Sequence, residues 1–346
     1  MSDESADESA GAVPQESGGR GEPVTIARIA QEAGVSVPTV SKVLNGRSGV
    51  SDQTRARVED LIERYGYRKP QPKGNNILEL VFHELAGMQA VDVIRGVEQV
   101  ARKHRFGVVI SESGLRAAAA VDELLERRPR AVLAVARLSE AERDLLKTRG
   151  IPFVVLDPAT EQPDDVPFVG ATDWRGGQMA VRHLLELGHR DIAVISAAHD
   201  SPGRARLAGF HSAMQAAAVA VDPKLVVDAP LTREGGYAAA VDLLARADRP
   251  TAVFAASDLQ ALGVYRAARE AGLRIPQELS VVGFDGLPVG AWVDPPLTSV
   301  RRPLAEMAAA AAELALALGR GEEPGQVGVE MATTLTVRES TAAPGR

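Results

Sequence analysis

The sequence contains no cysteine and few aromatic residues. Without cysteine the chain can form neither a disulfide framework nor a thiolate metal site, and it suits a reducing compartment. The six histidines form no H-x-x-x-H or H-E-x-x-H pair, so we expect no metal site and no cofactor. Aromatic residues make up 4% of the chain, which leaves few rings for stacking on a ligand.

We expect neither an export signal nor a membrane span. The sequence begins with the acidic stretch "MSDESADESA", and no uninterrupted apolar run approaches the roughly 20 residues that a transmembrane helix needs. We therefore expect a cytoplasmic protein with no membrane partner. The 346 residues, of which 45% are hydrophobic, correspond to two or three domains with a large core.

Motifs of common enzyme classes are missing as well. The chain has no G-x-x-x-x-G-K-[ST] phosphate loop and no G-x-S-x-G nucleophile elbow. Asp157 and Asp285 could act as the two catalytic carboxyl groups of a glycosidase. Paired acidic residues in sugar pockets, however, often only bind the sugar. We expect a protein that is not an enzyme.

The net charge of −7 hides an uneven distribution. Residues 1–23 carry six acidic residues and one arginine, whereas residues 24–73 carry nine Lys or Arg and five acidic residues. A basic segment between two acidic ones is typical of a protein that binds phosphates, although a solvated helical face would have the same composition. The acidic tail, dominated by Ser, Gly, Glu and Asp, is expected to be disordered.

The basic segment has the signals of a helix-turn-helix. Thr25 can cap a first helix, and Ser36 can cap a second that tolerates Pro38 in its first turn. A third, supporting helix begins near Thr54 and ends near "RYGY". The second helix would enter the DNA major groove, where its outward residues read bases and short hydroxyls hold phosphates. On this basis Val37, Pro38 and Lys42 are the candidates for base contacts, and Ser36, Thr39, Ser41 and Asn45 for phosphate contacts.

From Ile77 onward, short apolar runs alternate with amphipathic helical stretches. Eight runs are predicted as buried strands: "ILELVF", "FGVVIS", "AVLAVA", "PFVVLD", "IAVISA", "LVVDA", "AVFAAS" and "LSVVGFD". Alternation of strand and helix predicts an α/β fold with parallel sheets covered on both faces. Since eight strands are many for one core, we expect two doubly wound lobes.

Polar side chains follow several of these strands. Glu84, Asp157, Ser257, Asp258 and Asp285 stand at or just beyond predicted strand ends, where ligands bind in such folds. Carboxylates accept the hydrogen bonds of sugar hydroxyls, but capping of the following helix is an alternative role, and Asp258 is predicted as the N-cap of the helix beginning "LQALG". Trp292 is expected in the core, and Trp174 either there or on a sugar face.

The stretch "VTIARIAQEAGVSVPTVSKVLNGRSGVSDQTRARVEDLIERYGY" resembles the amino-terminal domain of the LacI/GalR family of transcription regulators. The resemblance continues to about residue 340 through "HLLELGHRDIAVI", "GRARLAGF", "GLRIPQELSVVGFD" and "PPLTSVRRPL", and it implies a sensor domain with the fold of periplasmic sugar-binding proteins. It adds Thr25 and Thr54 to the phosphate contacts. It also places Asp157, Arg204, Arg206 and Asp285 at effector-contacting positions.

The linker departs from the family. Family members usually insert a leucine of a hinge helix into the minor groove, whereas this segment reads "RKPQPKGNN", contains two prolines and has no leucine. Within the sensor domain, Ser257 replaces a more usual amide, and Gly286 replaces the second acid of the frequent "FDD". These differences bear on the release mechanism and on the choice of effector.

The expected organisation has four parts. These are an acidic tail (1–23), a helix-turn-helix domain (24–67), a linker without the hinge-helix pattern (68–76) and an effector domain (77–340). The effector domain divides into lobe 1, about 77–171 and 302–331, and lobe 2, about 172–300 and 332–340. The alanine-rich stretch "LAEMAAAAAELALALG" either covers a lobe or contributes to a dimer interface.

The expected function is that of a DNA-binding transcriptional repressor. A homodimer would bind double-stranded DNA at a near-palindromic operator, and a sugar or oligosaccharide effector would change lobe closure and operator affinity. Two alternatives stay open at this point. The chain could be a cytoplasmic sugar sensor that reads no DNA, or a regulator that responds to a purine or a phosphorylated metabolite.

Overall fold

The computed structural model describes residues 25–44, 49–65, 67, 75–83, 85, 88–112, 117–135, 137–158, 160–199, 201–323 and 325–345. The chain divides into two compact units, residues 1–72 and 73–346. Among the described helices, none combines the length and the apolar character needed to cross a membrane. The predicted acidic tail and most of the predicted linker lie outside the described residues.

The first unit consists of three helices around a small core. Its helices are α1 (Ile26–Ala33), α2 (Val37–Leu44) and α3 (Asp52–Arg64). The Thr25 hydroxyl accepts a hydrogen bond from the Arg28 amide and caps α1, and Gly34 ends it with a φ of 66°. Ile29, Val40 and Val58 are fully buried where the three helices meet. The predicted helix-turn-helix with a supporting helix is therefore confirmed.

The second unit contains two six-stranded sheets within the described residues. Its strands are β1 (Asn75–Phe82), β2 (Gly107–Glu112), β3 (Pro129–Val135), β4 (Phe153–Leu156), β5 (Phe168–Ala171), β6 (Ile192–Ser196), β7 (Val226–Asp228), β8 (Ala252–Ala255), β9 (Ser280–Asp285), β10 (Thr298–Arg301), β11 (Gly328–Met331) and β12 (Thr334–Thr336). The strand order is β11-β5-β4-β3-β1-β2 in lobe 1 and β12-β10-β9-β8-β6-β7 in lobe 2. All pairs are parallel except β10 with β12.

Helices cover both faces of each sheet, as the apolar strands require. They are α4 (Gln89–His104), α5 (Ala117–Arg127), α6 (Glu140–Thr148), α7 (Asp173–Glu186), α8 (Ser201–Ala216), α9 (Arg233–Leu244), α10 (Asp258–Glu270) and α11 (Leu304–Gly319). In lobe 1, α4 and α11 share one core with β1 and β3. A Cβ on Gly96 of α4 would lie 2.1 Å from the Ala305 carbonyl oxygen of α11, so only glycine permits this close helix contact. The alanine-rich stretch is this lobe-covering helix α11, as one of its two interpretations predicted.

The chain crosses between the lobes after β5, β10 and β11. The first and third crossings are joined by Thr172 and Thr333: the Thr333 amide donates to the Thr172 hydroxyl oxygen at 3.1 Å, and the two hydroxyls lie 3.3 Å apart. The second crossing contains Arg302, between β10 and α11. Because every crossing passes through the lobe junction, residues on them are well placed to respond to lobe movement.

The predicted α/β fold with two parallel-sheet lobes is confirmed, and every one of the eight predicted strands is present. Sequence patterns missed β5, β10, β11 and β12, which have three or four residues each. Such short strands carry too few residues for an alternating or continuous apolar pattern. The antiparallel pairing of β12 with β10 was likewise not expected.

Candidate functional site

The α2 helix presents one exposed stripe in the first unit. Val37 is 41% exposed, and Pro38 and Lys42 are exposed beside it. Val40 and Val43, on the opposite side, are buried in the three-helix core. An exposed valine at the start of a helix costs hydration free energy unless a partner covers it. The stripe therefore places an apolar side chain and a cation on the same solvent-facing side of α2.

Short hydroxyl side chains lie at the helix starts. The Ser36 hydroxyl oxygen accepts from the Thr39 amide at 3.3 Å and lies 2.9 Å from the Thr39 hydroxyl. The Ser51 hydroxyl likewise caps α3 and donates to Thr54 at 2.8 Å. These hydrogen bonds fix the N-terminal turns, whose free amides attract anions. Ser41 is half-buried on α2, and the predicted contact Asn45 lies outside the described residues.

A second network, which sequence patterns did not reveal, ties α1 to the end of α3. The Tyr65 hydroxyl donates to Glu32 at 2.5 Å, and the Arg28 guanidinium lies 3.3 Å from the same carboxylate. The hydrogen bond from Tyr65 holds the pKa of Glu32 below its usual range. The network fixes the orientation of α1 against α3 and hence the frame that supports α2.

Two aspartates in the second unit occupy strained backbone conformations at strand ends. Asp157 follows β4 in lobe 1 with a φ of 55°, and Asp285 ends β9 in lobe 2 with a φ of 107°. Positive φ is unfavourable for residues with a Cβ and costs about 1–3 kcal/mol. Both aspartates were predicted as effector contacts, and backbone strain of this kind is concentrated at binding sites.

Arg206 of α8 is buried against four groups in lobe 2. Its Nε donates to the Asp173 carboxylate at 2.8 Å and its Nη1 donates to the Ala256 carbonyl oxygen at 2.6 Å. Its Nη2 lies 3.5 Å from Asp285, and the guanidinium carbon lies 3.9 Å from the Phe284 ring centre. The structure therefore brings the predicted residues Arg206 and Asp285 together and adds Asp173, which had not been predicted.

Arg302 completes this cluster and was also missed by sequence reasoning. Its Nη2 donates to Asp157 Oδ2 at 2.6 Å, and its Nε lies 3.6 Å from Asp285 Oδ1. Three carboxylates (Asp157, Asp173, Asp285) and two guanidiniums thus meet at the lobe junction. We call this set the junction cluster.

The junction cluster shifts the pKa of two of its members, Arg302 and Asp285. Burial acts to lower the pKa of Arg302. The carboxylates of Asp157, Asp285 and Asp173 act to raise it, and the resulting pKa lies well above the ordinary value. Burial raises the pKa of Asp285, while Arg206 and Arg302 oppose that change. Buried charges of this kind persist only when they are paired.

The capping role predicted for Asp258 belongs to its neighbour Ser257. Ser257 is the N-cap of α10, because its hydroxyl accepts from the Gln260 amide at 3.1 Å. Asp258 is instead the first helical residue, and its carboxylate accepts from the Ser299 hydroxyl at 2.5 Å and from the Leu287 amide at 2.6 Å. The prediction of Asp258 as N-cap is wrong. Its fully buried side chain holds the segment that follows Asp285.

Two other predicted effector residues are not brought to the junction cluster. Arg204 is exposed on α8 and donates to the His199 carbonyl oxygen at 3.2 Å. Glu84 lies outside the described residues. Residues two positions apart on an α-helix point in nearly opposite directions, so Arg204 and Arg206 cannot both face the junction.

A cavity of about 520 Å³ adjoins the junction cluster. Its lining combines Asp157, Gln162 and Glu330 of lobe 1 with Asp173, Trp174 and Ser201 of lobe 2. The volume is within the range of small-molecule sites. Trp174 is 42% exposed at the cavity wall. Trp292 is 76% exposed, so its predicted core position is wrong: it stands at the end of a short 3₁₀ turn at the surface.

The Asp258 carboxyl provides a pH test of this site. Burial, followed by the charge of Asp285, raises the pKa of Asp258 from 3.8 to about 7. The folded protein then keeps a proton that the unfolded chain releases between these values, so the free energy of unfolding falls as the pH rises through this window. Each pH unit inside the window costs about 1.4 kcal/mol, and we expect Asp258→Asn to reduce that fall, the remainder being due to Asp285, whose pKa is also raised. Urea unfolding at pH 4.5 and pH 7.5 measures it.

The matched control is Asp242→Asn, at an exposed position of α9. Asparagine at position 258 can keep both hydrogen bonds, with Ser299 and with the Leu287 amide, so the folded variant is a fair comparison. Equal pH dependence of unfolding in the wild type and in Asp258→Asn would contradict the role given to this carboxyl.

Comparisons with known proteins agree with the structures of both units. Residues 25–70 match the model of the bacterial regulatory proteins of the lacI family, and residues 181–341 match the periplasmic binding protein-like domain. The chain is 34% identical to the HTH-type transcriptional regulator MalR of Streptomyces coelicolor, covering 92% of this chain and 97% of the relative. It is 30% identical to the ribose operon repressor of Haemophilus influenzae, covering 91% and 97%.

Solved structures show the same architecture. The transcriptional regulator CelR–cellobiose complex is 32% identical, with a TM-score of 0.71, over 92% of this chain and 99% of that one. The lac repressor dimer bound to operator and the anti-inducer ONPF is 26% identical, with a TM-score of 0.67, over 93% and 100%. The chain therefore belongs to the lacI family and is a DNA-binding transcriptional regulator with a periplasmic-binding-protein-like sensor domain.

Proposed function

We propose that this regulator is a homodimeric repressor whose operator affinity is controlled by an uncharged sugar or oligosaccharide. One observation carries the proposal: the strained carboxylates Asp157 and Asp285 meet two buried arginines beside a cavity of about 520 Å³ at the lobe junction. Effector binding there would change lobe closure and the spacing of the two DNA-reading heads.

The chemistry of the cavity favours hydroxyl groups. Asp157, Asp173 and Glu330 offer acceptor oxygens, and Trp174 offers an aromatic face for the apolar side of a sugar ring. Arg206 and Arg302 already pair with carboxylates, so a phosphorylated effector would have to displace an acid to be matched. Ribose and cellobiose appear in the names of related proteins. These points support a neutral sugar over a phosphorylated metabolite.

The exposed stripe of α2 and the hydroxyls at the helix starts support separate roles in base reading and in phosphate binding. Val37 can contact the methyl group of a thymine, and Lys42 can donate to guanine O6 or N7 or to a phosphate. The hydroxyls of Thr25, Ser36 and Thr39 lie at helix starts, where phosphates bind. We propose the same phosphate role for Ser41, Asn45 and Thr54.

Lobe 1 has an apolar edge that supports dimerisation. Leu85, Met88, Val91 and Ile110 are each more than a third exposed on or beside α4 and the edge strand β2. The Leu85 amide donates to the Glu112 carboxylate at the end of β2, which joins the two parts of this edge. Exposed apolar groups on an unpaired sheet edge are typical of a surface that a partner covers. A second copy of the chain is the occupant we propose.

The relatives named above are transcriptional regulators. We propose accordingly that the junction cluster binds its ligand without catalysis. Turnover of a bound sugar by the purified protein would contradict this part of the proposal.

The DNA-reading role predicts a specific loss of affinity. We expect a palindromic motif to be enriched from a random DNA pool, and Lys42→Ala to weaken binding to it by about 10-fold to 100-fold, because one base or phosphate contact is lost. Lys147→Ala is the matched control, since Lys147 forms a surface ion pair with Asp165 in lobe 1. No enriched motif for the wild type would refute operator reading.

The dimer edge predicts a change in assembly. We expect Val91→Asp to shift the protein to monomers and to lower operator affinity, because a buried unpaired carboxylate opposes association. Analytical ultracentrifugation and DNA binding at matched protein concentration measure both effects. Val337→Asp, at another exposed valine in lobe 2, should leave both unchanged; a dimeric Val91→Asp variant would rule out this edge.

A further inference from the structure

Arg302 stands on the crossing between β10 and α11 and contacts a carboxylate of each lobe. Nη2 donates to Asp157 of lobe 1 at 2.6 Å, and Nε lies 3.6 Å from Asp285 of lobe 2. The guanidinium side chain is 3% exposed. Any lobe movement that separates Asp157 from Asp285 must lengthen at least one of these two contacts.

The two carboxylates depend on Arg302 to different degrees. Asp285 also lies 3.5 Å from Arg206 Nη2, so it keeps a cationic neighbour without Arg302. Within the described ranges, Asp157 forms an ion pair with Arg302 and with no second cation. The Arg302 amide donates to the Asp285 carbonyl oxygen at 3.3 Å, which holds its backbone to lobe 2. The side-chain pair with Asp157 is therefore the contact that joins the lobes, and it can be broken without leaving Asp285 uncompensated.

Asp157 is also the cluster member that a ligand reaches most easily in lobe 1. Its side chain is 22% exposed and lines the cavity, whereas Arg302 is buried behind it. The Arg302 Nε is buried and donates no hydrogen bond within the described part of the chain. A ligand hydroxyl at this point can donate to Asp157 in place of the Arg302 guanidinium, whose own donors are incompletely matched.

We propose that Arg302 is a positioning residue that joins the two lobes in the absence of effector, and that the effector competes with it for Asp157. The identity of the competitor rests on the proposed function; the lobe contact does not. Release of Asp157 from Arg302 is then the step that converts occupancy of the cavity into a change of lobe angle. A variant without the guanidinium should behave partly as though the effector were bound.

Tryptophan fluorescence tests the lobe contact without any ligand. Trp292→Phe leaves Trp174 as the single tryptophan of the chain, and Trp174 lies at the cavity wall between residues of both lobes. In this background we expect Arg302→Gln to raise the acrylamide quenching constant of Trp174. Arg302→Lys, which keeps the charge but not the planar fork, should restore an intermediate value.

Arg301→Gln is the matched control. Arg301 is the neighbouring residue, and its side chain is 49% exposed and pairs with Glu306 at the surface. The control should leave quenching unchanged. If Arg302→Gln does not fold, Asp157→Asn breaks the same ion pair from lobe 1 and leaves both arginines beside Asp285. Folded Arg302→Gln or Asp157→Asn protein with wild-type quenching overturns the proposal.

Calorimetry with cellobiose and ribose as probes tests the competition. We expect whichever probe binds the wild type to bind Arg302→Gln about 10-fold more tightly, since the internal competitor is gone. The operator affinity of ligand-free Arg302→Gln should shift in the direction that the probe produces in the wild type. Unchanged probe affinity overturns the competition. If neither probe binds the wild type or any variant, the proposed choice of sugar is wrong. The quenching result still tests whether Arg302 joins the lobes.

Discussion

The requirement that buried charges be paired organises the junction between the two lobes. Arg206 and Arg302 are almost fully buried, and an isolated guanidinium in that environment would be strongly unfavourable. Each must therefore be surrounded by carboxylates, and the available ones stand on different elements: Asp157 after β4, Asp173 at the start of α7, and Asp285 at the end of β9. Satisfying two cations thus fixes the relative placement of both sheets.

Other features of the sensor domain follow from this constraint. The positive φ values of Asp157 and Asp285 are tolerated because ion pairs in the junction cluster stabilise the strained conformations. Asp258 holds the segment after Asp285 through Ser299 and the Leu287 amide. Thr172 and Thr333 tie the two crossings that flank the cavity. A ligand that engages Asp157 acts on the same group that links the lobes, which is how a small molecule can influence a distant DNA-reading head.

Sequence patterns predicted the helices and strands better than they predicted the residues of the junction cluster. Capping hydroxyls and apolar spacing located α1, α2, α3 and eight strands, since those signals are local. Asp157, Arg206 and Asp285 were found because they follow strands or match a family motif. Asp173 and Arg302 have no local signature: each is significant only because the fold brings it to a partner more than 30 residues away. Trp292 was misplaced because hydrophobicity alone predicts burial and does not account for the surface turn that carries it.

A double-mutant cycle at Arg302 and Asp157 tests the importance of the junction cluster most directly. The free energies of unfolding of the wild type, Arg302→Gln, Asp157→Asn and the double variant give the coupling between the two side chains. A buried ion pair that joins the lobes should give a coupling of about 1 kcal/mol or more. Additivity within about 0.3 kcal/mol would show that the two residues do not interact and would contradict a junction organised by paired charges.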